Sequence, residues 1–109
     1  MTNLTELRLV YCPHVSDLAP LAGLTNLTKL HLSGCSQVSD LAPLADLTNL
    51  TWLRLFDCSK IRDFSSLTNL TKLSRVILSD DADRSLIPQS IMERVVFRAA
   101  VIEIGRLIG

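Results

Sequence analysis

The stretch from Asn3 to Leu9 reads Asn-Leu-Thr-Glu-Leu-Arg-Leu, and it decides the fold because it returns at a constant step. It recurs as Asn-Leu-Thr-Lys-Leu-His-Leu over 26–32 and as Asn-Leu-Thr-Trp-Leu-Arg-Leu over 49–55, each time after a step of 23. A weaker copy, Lys-Leu-Ser-Arg-Val-Ile-Leu, occupies 72–78. A fixed period of this length is typical of a repeat solenoid, whose coils bury their apolar residues against one another.

The segments between these stretches repeat as well. Val15–Ala22 and Val38–Ala45 are identical, and Ile61–Thr68 is a decayed third copy. One cysteine follows each of the first three stretches, and these cysteines are separated by the same step: Cys12, Cys35 and Cys58. A coiled coil is excluded, because its period is seven.

The quoted residues resemble the leucine-rich-repeat family, whose pattern is L-x-x-L-x-L-x-x-N/C-x-L. The sequences Leu-Thr-Asn-Leu-Thr and Ser-Asp-Leu-Ala-Pro-Leu-Ala are most similar to the internalin-type subclass of bacterial repeats. That subclass usually has asparagine where the cysteines stand, and its repeat is usually one residue shorter. The resemblance covers roughly residues 1–80 and implies an α/β fold: a right-handed solenoid with parallel strands on a concave face and irregular or 3₁₀ turns on the convex side.

Alternation along each strand predicts which side chains are free to bind. In the second repeat, Leu30 and Leu32 point inward and His31 points outward. We call the outward strand positions the concave face. They are expected to form three columns: Glu6, Lys29, Trp52 and Arg75; Arg8, His31, Arg54 and Ile77; and Val10, Ser33, Phe56 and Ser79.

The convex side carries its own repeated signals. Asp17, Asp40 and Asp63 each precede an apolar turn, where a carboxylate can accept hydrogen bonds from the following backbone amides. Pro20 and Pro43 suit a single turn rather than a long helix.

The cysteines allow two interpretations. Cys12, Cys35 and Cys58 form an internal column of small thiols, or they bind metal or pair as disulfides. Their odd number and the lack of a C-x-x-C motif favour the structural column.

Two large rings are expected to be exposed on the concave face. Trp52 and Phe56 flank Arg54 in the sequence, and tryptophan and arginine are enriched in interface hot spots. Arg8, Lys29, Arg54 and Arg75 face a single acid, Glu6, which suggests an acidic or mixed-charge protein partner. In the alternative interpretation, the two rings merely cover each other. The predicted partner-binding residues are Arg8, Lys29, His31, Trp52, Arg54, Phe56 and Arg75.

The two ends differ in their signals. Residues 1–80 are expected to form the solenoid of about three and a half repeats, and residues 81–109 an exit loop and a helix that caps the last coil. The Ser-x-x-Glu box at Ser90 and Glu93 predicts the helix start, and the helix spans 91–108; its β-branched residues leave a strand as the alternative. A partner-binding or membrane-surface helix is the other possible role. The first coil shows no cap, which predicts either a longer solenoid or self-association through that end.

Composition excludes several classes of function. The formal net charge of the 109-residue chain is zero, whereas a general nucleic-acid binder needs excess positive charge. No segment has the ~20 uninterrupted apolar residues of a membrane span, and no signal peptide is expected. The chain is therefore expected to be cytoplasmic, with a fragment of a secreted parent as the alternative. His14 and His31 have no histidine partner at helical ligand spacing, and there is no glycine-rich phosphate loop, so we expect no enzyme, metal or cofactor.

The sequence therefore favours a protein-interaction module that binds through the concave face. A structural or self-associating scaffold segment without a specific ligand is the alternative. A targeting module for a catalytic partner on another chain is a third interpretation, which the sequence does not separate from the first.

Overall fold

The computed structural model describes residues 3–79 and 84–97, which wind into successive coils. Coil 1 spans 3–25, coil 2 spans 26–48, coil 3 spans 49–71 and coil 4 spans the described part of 72–90. Each coil begins with a strand, and the five strands form one parallel sheet in chain order. The strands are β1 (Glu6–Val10), β2 (Lys29–Ser33), β3 (Trp52–Phe56), β4 (Arg75–Leu78) and β5 (Val95–Phe97).

The register of the sheet follows the sequence repeat. Leu7 pairs with Leu30, which pairs with Leu53, which pairs with Val76. Each residue of the first four strands therefore lies beside its counterpart in the adjacent repeat. The predicted in-register parallel pairing is confirmed.

Inward positions of the strands form the core, as alternation predicts. Leu30, Leu32 and Leu53 have no exposed surface, while His31 between the first two is half-buried on the other face. The core continues into the turns through Leu44 and Leu67. Because the interior is aliphatic and the coils stack, the inward leucines of coils 2 and 3 are covered by a coil on either side.

The convex side consists of short 3₁₀ turns, as expected. They span Ala19–Gly23, Ala42–Asp46, Ser65–Asn69, Arg84–Leu86 and Gln89–Arg94. A proline lies in the first turn of the first two, where its missing N–H costs nothing.

An aspartate holds the start of each of the first three turns. The carboxylates of Asp17, Asp40 and Asp63 accept hydrogen bonds from the backbone N–H two residues later, at 2.9, 2.8 and 2.9 Å. Hydrogen bonds from the side chain and backbone of Ser65 hold the pKa of Asp63 below its usual value. The predicted role of these aspartates is confirmed.

The three cysteines are free thiols in a column beneath the strand ends. Cys35 Sγ donates to the backbone oxygens of Leu9 and Ser33, at 3.5 and 3.8 Å, and so links coil 2 to coil 1. Cys58 Sγ bonds the Phe56 oxygen at 3.3 Å and the oxygen of Leu32 in the previous coil at 3.8 Å. These contacts fit the structural interpretation of the column.

A second polar column joins the coils just before the strands. The hydroxyls of Thr28, Thr51 and Ser74 each donate to a backbone oxygen of the preceding coil, at 3.1, 3.1 and 3.0 Å. The repeated threonine of the Asn-Leu-Thr motif is therefore a link between coils.

Each of the first three strands ends in a left-handed residue. Tyr11, Gly34 and Asp57 occupy equivalent positions of successive repeats and have φ values of 53°, 70° and 55°. Glycine adopts this conformation without strain, whereas tyrosine does not. A Cβ on Gly34 would lie 2.7 Å from Cδ1 of Tyr11, so glycine is also required there by the ring that covers it.

The predicted α-helix from Ile91 is wrong for the residues up to Phe97. Gln89–Arg94 is a 3₁₀ turn that follows Pro88 without a side-chain cap, and Val95–Phe97 forms β5 on the edge of β4. The strand alternative applies here, because β4 offers backbone partners to a β-branched segment. The remainder of the predicted helix, 98–108, lies outside the described residues.

Two residues that precede β5 contribute to the core. Ile87 and Ile91 are buried in the same core cluster as the leucines of the earlier coils. Val76 of β4 pairs with Val95, which comes before a full repeat is complete, so coil 4 is shorter than the others.

The part of the chain that the structure describes contains no helix with the length and apolar character of a membrane-spanning segment.

Candidate functional site

The strands place the outward residues in the predicted columns. Glu6 pairs with Lys29, Lys29 with Trp52, and Trp52 with Arg75. The central column pairs in the same way: Arg8, His31, Arg54 and Ile77. The concave face therefore brings all seven predicted binding residues onto one surface.

These residues differ in exposure. Arg8, Lys29 and Arg75 are exposed, whereas His31, Trp52, Arg54 and Phe56 are half-buried. Trp52 and Phe56 are therefore less exposed than expected. Their rings pack against neighbouring side chains of the same face, which removes part of their surface from water.

The half-buried residues form a compact group that we call the aromatic–cation cluster: His31, Trp52, Arg54 and Phe56. The Arg54 guanidinium carbon lies 4.8 Å from the Trp52 ring centroid and 5.1 Å from that of Phe56. These positions are typical of cation–π contacts, which contribute about 0.5–1 kcal/mol at exposed sites and more when desolvated. Arg54 is thus held between the two rings rather than left to sample many rotamers.

His31 approaches both rings edge-on from the neighbouring strand. Its ring centroid is 6.4 Å from that of Trp52, at 86°, and 6.2 Å from that of Phe56, at 81°. The two rings therefore share both His31 and Arg54 as neighbours. The interpretation in which the rings merely cover each other does not account for these contacts.

Electrostatics on this face favour anions. Burial lowers the pKa of His31, and the nearby charges of Arg54 and Arg8 lower that pKa further. The one ion pair seen among the described residues of this face joins Lys29 Nζ and a Glu6 oxygen at 3.5 Å, with both side chains more than half exposed. Such an exposed pair is weak and readily exchanged for a partner's charge.

A groove of about 290 Å³ lies over the first three strands. That volume is roughly ten times the ~30 Å³ share of one liquid water, which is enough for a side chain of a partner. It is lined by Leu7 and by residues of the first two columns, namely Glu6, Arg8, Lys29, His31, Trp52 and Arg54.

The fourth strand contributes less to the surface than predicted. Ile77 is only 3% exposed and Ser79 only 9%, so neither is available for binding. The Ser79 hydroxyl accepts a hydrogen bond of 2.8 Å from the backbone N–H of Asp57, in the place that a backbone oxygen takes in the earlier coils. The free part of the concave face therefore centres on β1–β3, with Arg75 at its margin.

One exposed ring near this face was not predicted. Tyr11 is 76% exposed and follows Val10, which is 47% exposed, at the end of β1. Its signal in the sequence is the mismatch of the repeats, since tyrosine stands where the second repeat has Gly34.

No group of three or more histidine, cysteine or acidic side chains fit to hold a metal occurs in residues 3–79 and 84–97.

Cys35 and Cys58 are poorly suited to act as nucleophiles. Burial raises the pKa of both thiols, that of Cys58 to about 11. A thiol that stays protonated at neutral pH is a poor nucleophile.

Comparison with known proteins agrees with this geometry. Residues 2–46 match the family model described as "Leucine Rich repeats (2 copies)". Over these residues the chain is similar to the leucine-rich-repeat family. No curated protein matches the chain.

Among solved structures, the chain is similar to two internalins of Listeria monocytogenes. The first is 24% identical over 73% of this chain and 37% of its own length, with a TM-score of 0.44. The second, internalin C2, is 22% identical over 88% of this chain and 62% of its own length, with a TM-score of 0.34. The chain thus spans less than two thirds of either.

Proposed function

We propose that this leucine-rich-repeat chain binds an acidic or mixed-charge segment of another protein through its concave face. The observation that carries the proposal is the aromatic–cation cluster, in which Arg54 lies between Trp52 and Phe56 within 4.8 and 5.1 Å of their ring centroids. Aromatic and arginine side chains of this kind are the usual anchors of protein interfaces.

The cluster is preorganised, which supports binding energetically. Its residues project from adjacent strands of one sheet and constrain each other, so little side-chain entropy remains to be lost on association. The exposed Arg8, Lys29 and Arg75 surround it, and Glu6 is the only acid at an outward position of β1–β4. Complementary charge on a partner raises the rate of encounter and fixes its orientation.

The test is selection of peptides from a displayed random library on the immobilised chain. Enriched peptides should carry acidic residues beside apolar ones. The double variant Trp52→Ala/Arg54→Glu should weaken their binding at least about tenfold, since a hot spot contributes more than ~1.4 kcal/mol.

The matched control is Arg62→Glu, the same charge reversal at an exposed position outside the concave face. It should leave peptide affinity within about twofold of wild type, which corresponds to less than ~0.5 kcal/mol. Equal loss in both variants, or undiminished binding to the double variant, would exclude this surface as the site.

The second candidate function is a self-associating scaffold segment. It is favoured by the leucines of coil 1, since Leu4, Leu7 and Leu9 are only half-buried. In that case the selected peptides bind the coil 1 end, and the concave double variant retains them.

A further inference from the structure

A row of three nitrogen-bearing side chains crosses the centre of the concave face. Arg8, His31 and Arg54 lie on adjacent strands in direct register. Neighbouring strands are about 4.8 Å apart, so an imidazole stands one strand spacing from a guanidinium on either side. We call these residues the basic row.

The surroundings of the basic row leave it with an excess of positive charge. Glu6 is the only acidic residue at an outward position of β1–β4, and its carboxylate lies 3.5 Å from Lys29 Nζ. The two guanidinium groups of the row lie on strands two spacings apart and repel one another, and an anion between them relieves that repulsion.

His31 presents a polar atom that is suited to such an anion. Its Nε2 is buried and has no hydrogen-bond partner among the described residues. Buried polar atoms in proteins are nearly always hydrogen-bonded, so an unmatched one needs an explanation. The groove of about 290 Å³ is lined by all three residues of the row, so a ligand in it lies beside the imidazole, which has to turn toward the groove to present Nε2.

We propose that the basic row binds one carboxylate side chain of the acidic partner, and that His31 takes up a proton as this carboxylate binds, so that affinity rises as pH falls. This inference rests on the proposed function and names the contact that the acidic residue makes. The carboxylate accepts a hydrogen bond from protonated Nε2 and lies between the two guanidinium groups, where charge-assisted hydrogen bonds are strongest.

The charges that face His31 determine the sign of the pH effect. Arg8 and Glu6 face it from β1, Lys29 lies on its own strand, and Arg54 faces it from β3. In the free chain, burial and then the two arginines lower the pKa of His31, so the ring is neutral at neutral pH. A carboxylate at the row raises that pKa, and each unit of difference between bound and free protein adds up to about tenfold in affinity.

The experiment is an NMR titration of the imidazole resonances with a blocked hexaglutamate peptide as the probe and blocked hexaglutamine as its uncharged control. Hexaglutamate should raise the pKa of His31 by about one unit, and its affinity should rise severalfold between about pH 7.5 and pH 5.5, with about tenfold as the upper limit. Glutamate stays largely ionised over this range, since its ordinary pKa is about 4.3. His14, which is exposed and lies outside the concave face, is the internal control, and its imidazole resonances should not respond to the peptide.

Two variants complete the test. His31→Gln keeps a polar side chain that does not titrate, and its affinity for hexaglutamate should not change over the same pH range. His14→Gln should keep the wild-type pH profile. An unchanged pKa of His31 on adding hexaglutamate, or a pH dependence that survives in His31→Gln, would overturn the inference.

The outcomes also separate this inference from the proposed function. If library-selected peptides bind through Trp52 and Arg54 while hexaglutamate leaves His31 unaffected, the concave site stands and only the carboxylate contact is wrong. If neither the selected peptides nor hexaglutamate binds at this face, both proposals fall.

Discussion

Coil 1 and coil 2 contain almost the same residues, but they are buried to different degrees. Leu7, Leu9 and Cys12 are half-buried, whereas their register partners Leu30, Leu32 and Cys35 have no exposed surface. The local backbone is the same in both coils, including the 3₁₀ turns Ala19–Gly23 and Ala42–Asp46. Local structure in this chain is therefore set within a repeat, while packing is set by the neighbours of that repeat.

The largest expected effect tests this separation directly. Leu30→Ala removes a fully buried side chain between two coils and should lower the free energy of unfolding by about 2–5 kcal/mol. Leu7→Ala, the same change at a half-buried position, should cost roughly half as much, because less apolar surface is lost. Urea unfolding followed by the fluorescence of Trp52, the single tryptophan, measures both.

Equal losses of unfolding free energy in Leu30→Ala and Leu7→Ala would contradict the difference in burial between coil 1 and coil 2. They would mean that the end of coil 1 is covered in solution as completely as coil 2. Leu7→Ala would then be expected to lose its effect on dilution, if the cover is a second copy of the chain.

The sequence carried most of this architecture because the repeat fixes it. The constant period predicts the register, and alternation in Leu30-His31-Leu32 predicts which side is buried. The role of the aspartate in each of the first three turns is also predictable from the sequence, because its hydrogen bond spans only two residues.

What the repeat does not encode was harder to predict. β5 begins before the next repeat is due, and its partner is an edge that only the folded coil 4 provides. The local capping signal at Ser90 predicts an α-helix, but pairing with β4 turns Val95–Phe97 into a strand and leaves Gln89–Arg94 as a 3₁₀ turn. The half-burial of Trp52 is also tertiary, because His31 belongs to another strand.

The second expected effect is slow alkylation of the buried cysteines in the folded chain. Burial raises the pKa of Cys58 to about 11, so its thiolate is scarce at pH 8. Alkylation of Cys58 by iodoacetamide, followed by peptide mapping, should be roughly a hundredfold slower in the folded chain than in urea. Cys35, which is fully covered by coils 1 and 3, should also be protected.

The same shift has a consequence for stability. Because the folded state holds the Cys58 proton above the ordinary pKa of about 9, the free energy of unfolding should fall as pH rises from about 9 to 11. Cys58→Ala should reduce this fall. Rapid labelling of folded Cys58 at pH 8 would show that the thiol is not desolvated.

The smallest expected effect is one that should be equal in the two coils. Asp17 and Asp40 accept the same hydrogen bond, at 2.9 and 2.8 Å, from the N–H two residues later, and both side chains are exposed. Asp17→Ala and Asp40→Ala should each cost about 1 kcal/mol, as loss of a capping side chain does, and should agree within a few tenths. Asp46→Ala, an exposed acid at the other end of a turn, is the matched control and should be nearly neutral. The opposite outcome is a much larger loss of stability for Asp40→Ala than for Asp17→Ala, similar to the difference between Leu30→Ala and Leu7→Ala. The turn and the core would then form one cooperative unit, because the loss of a two-residue hydrogen bond would propagate into the packing between coils.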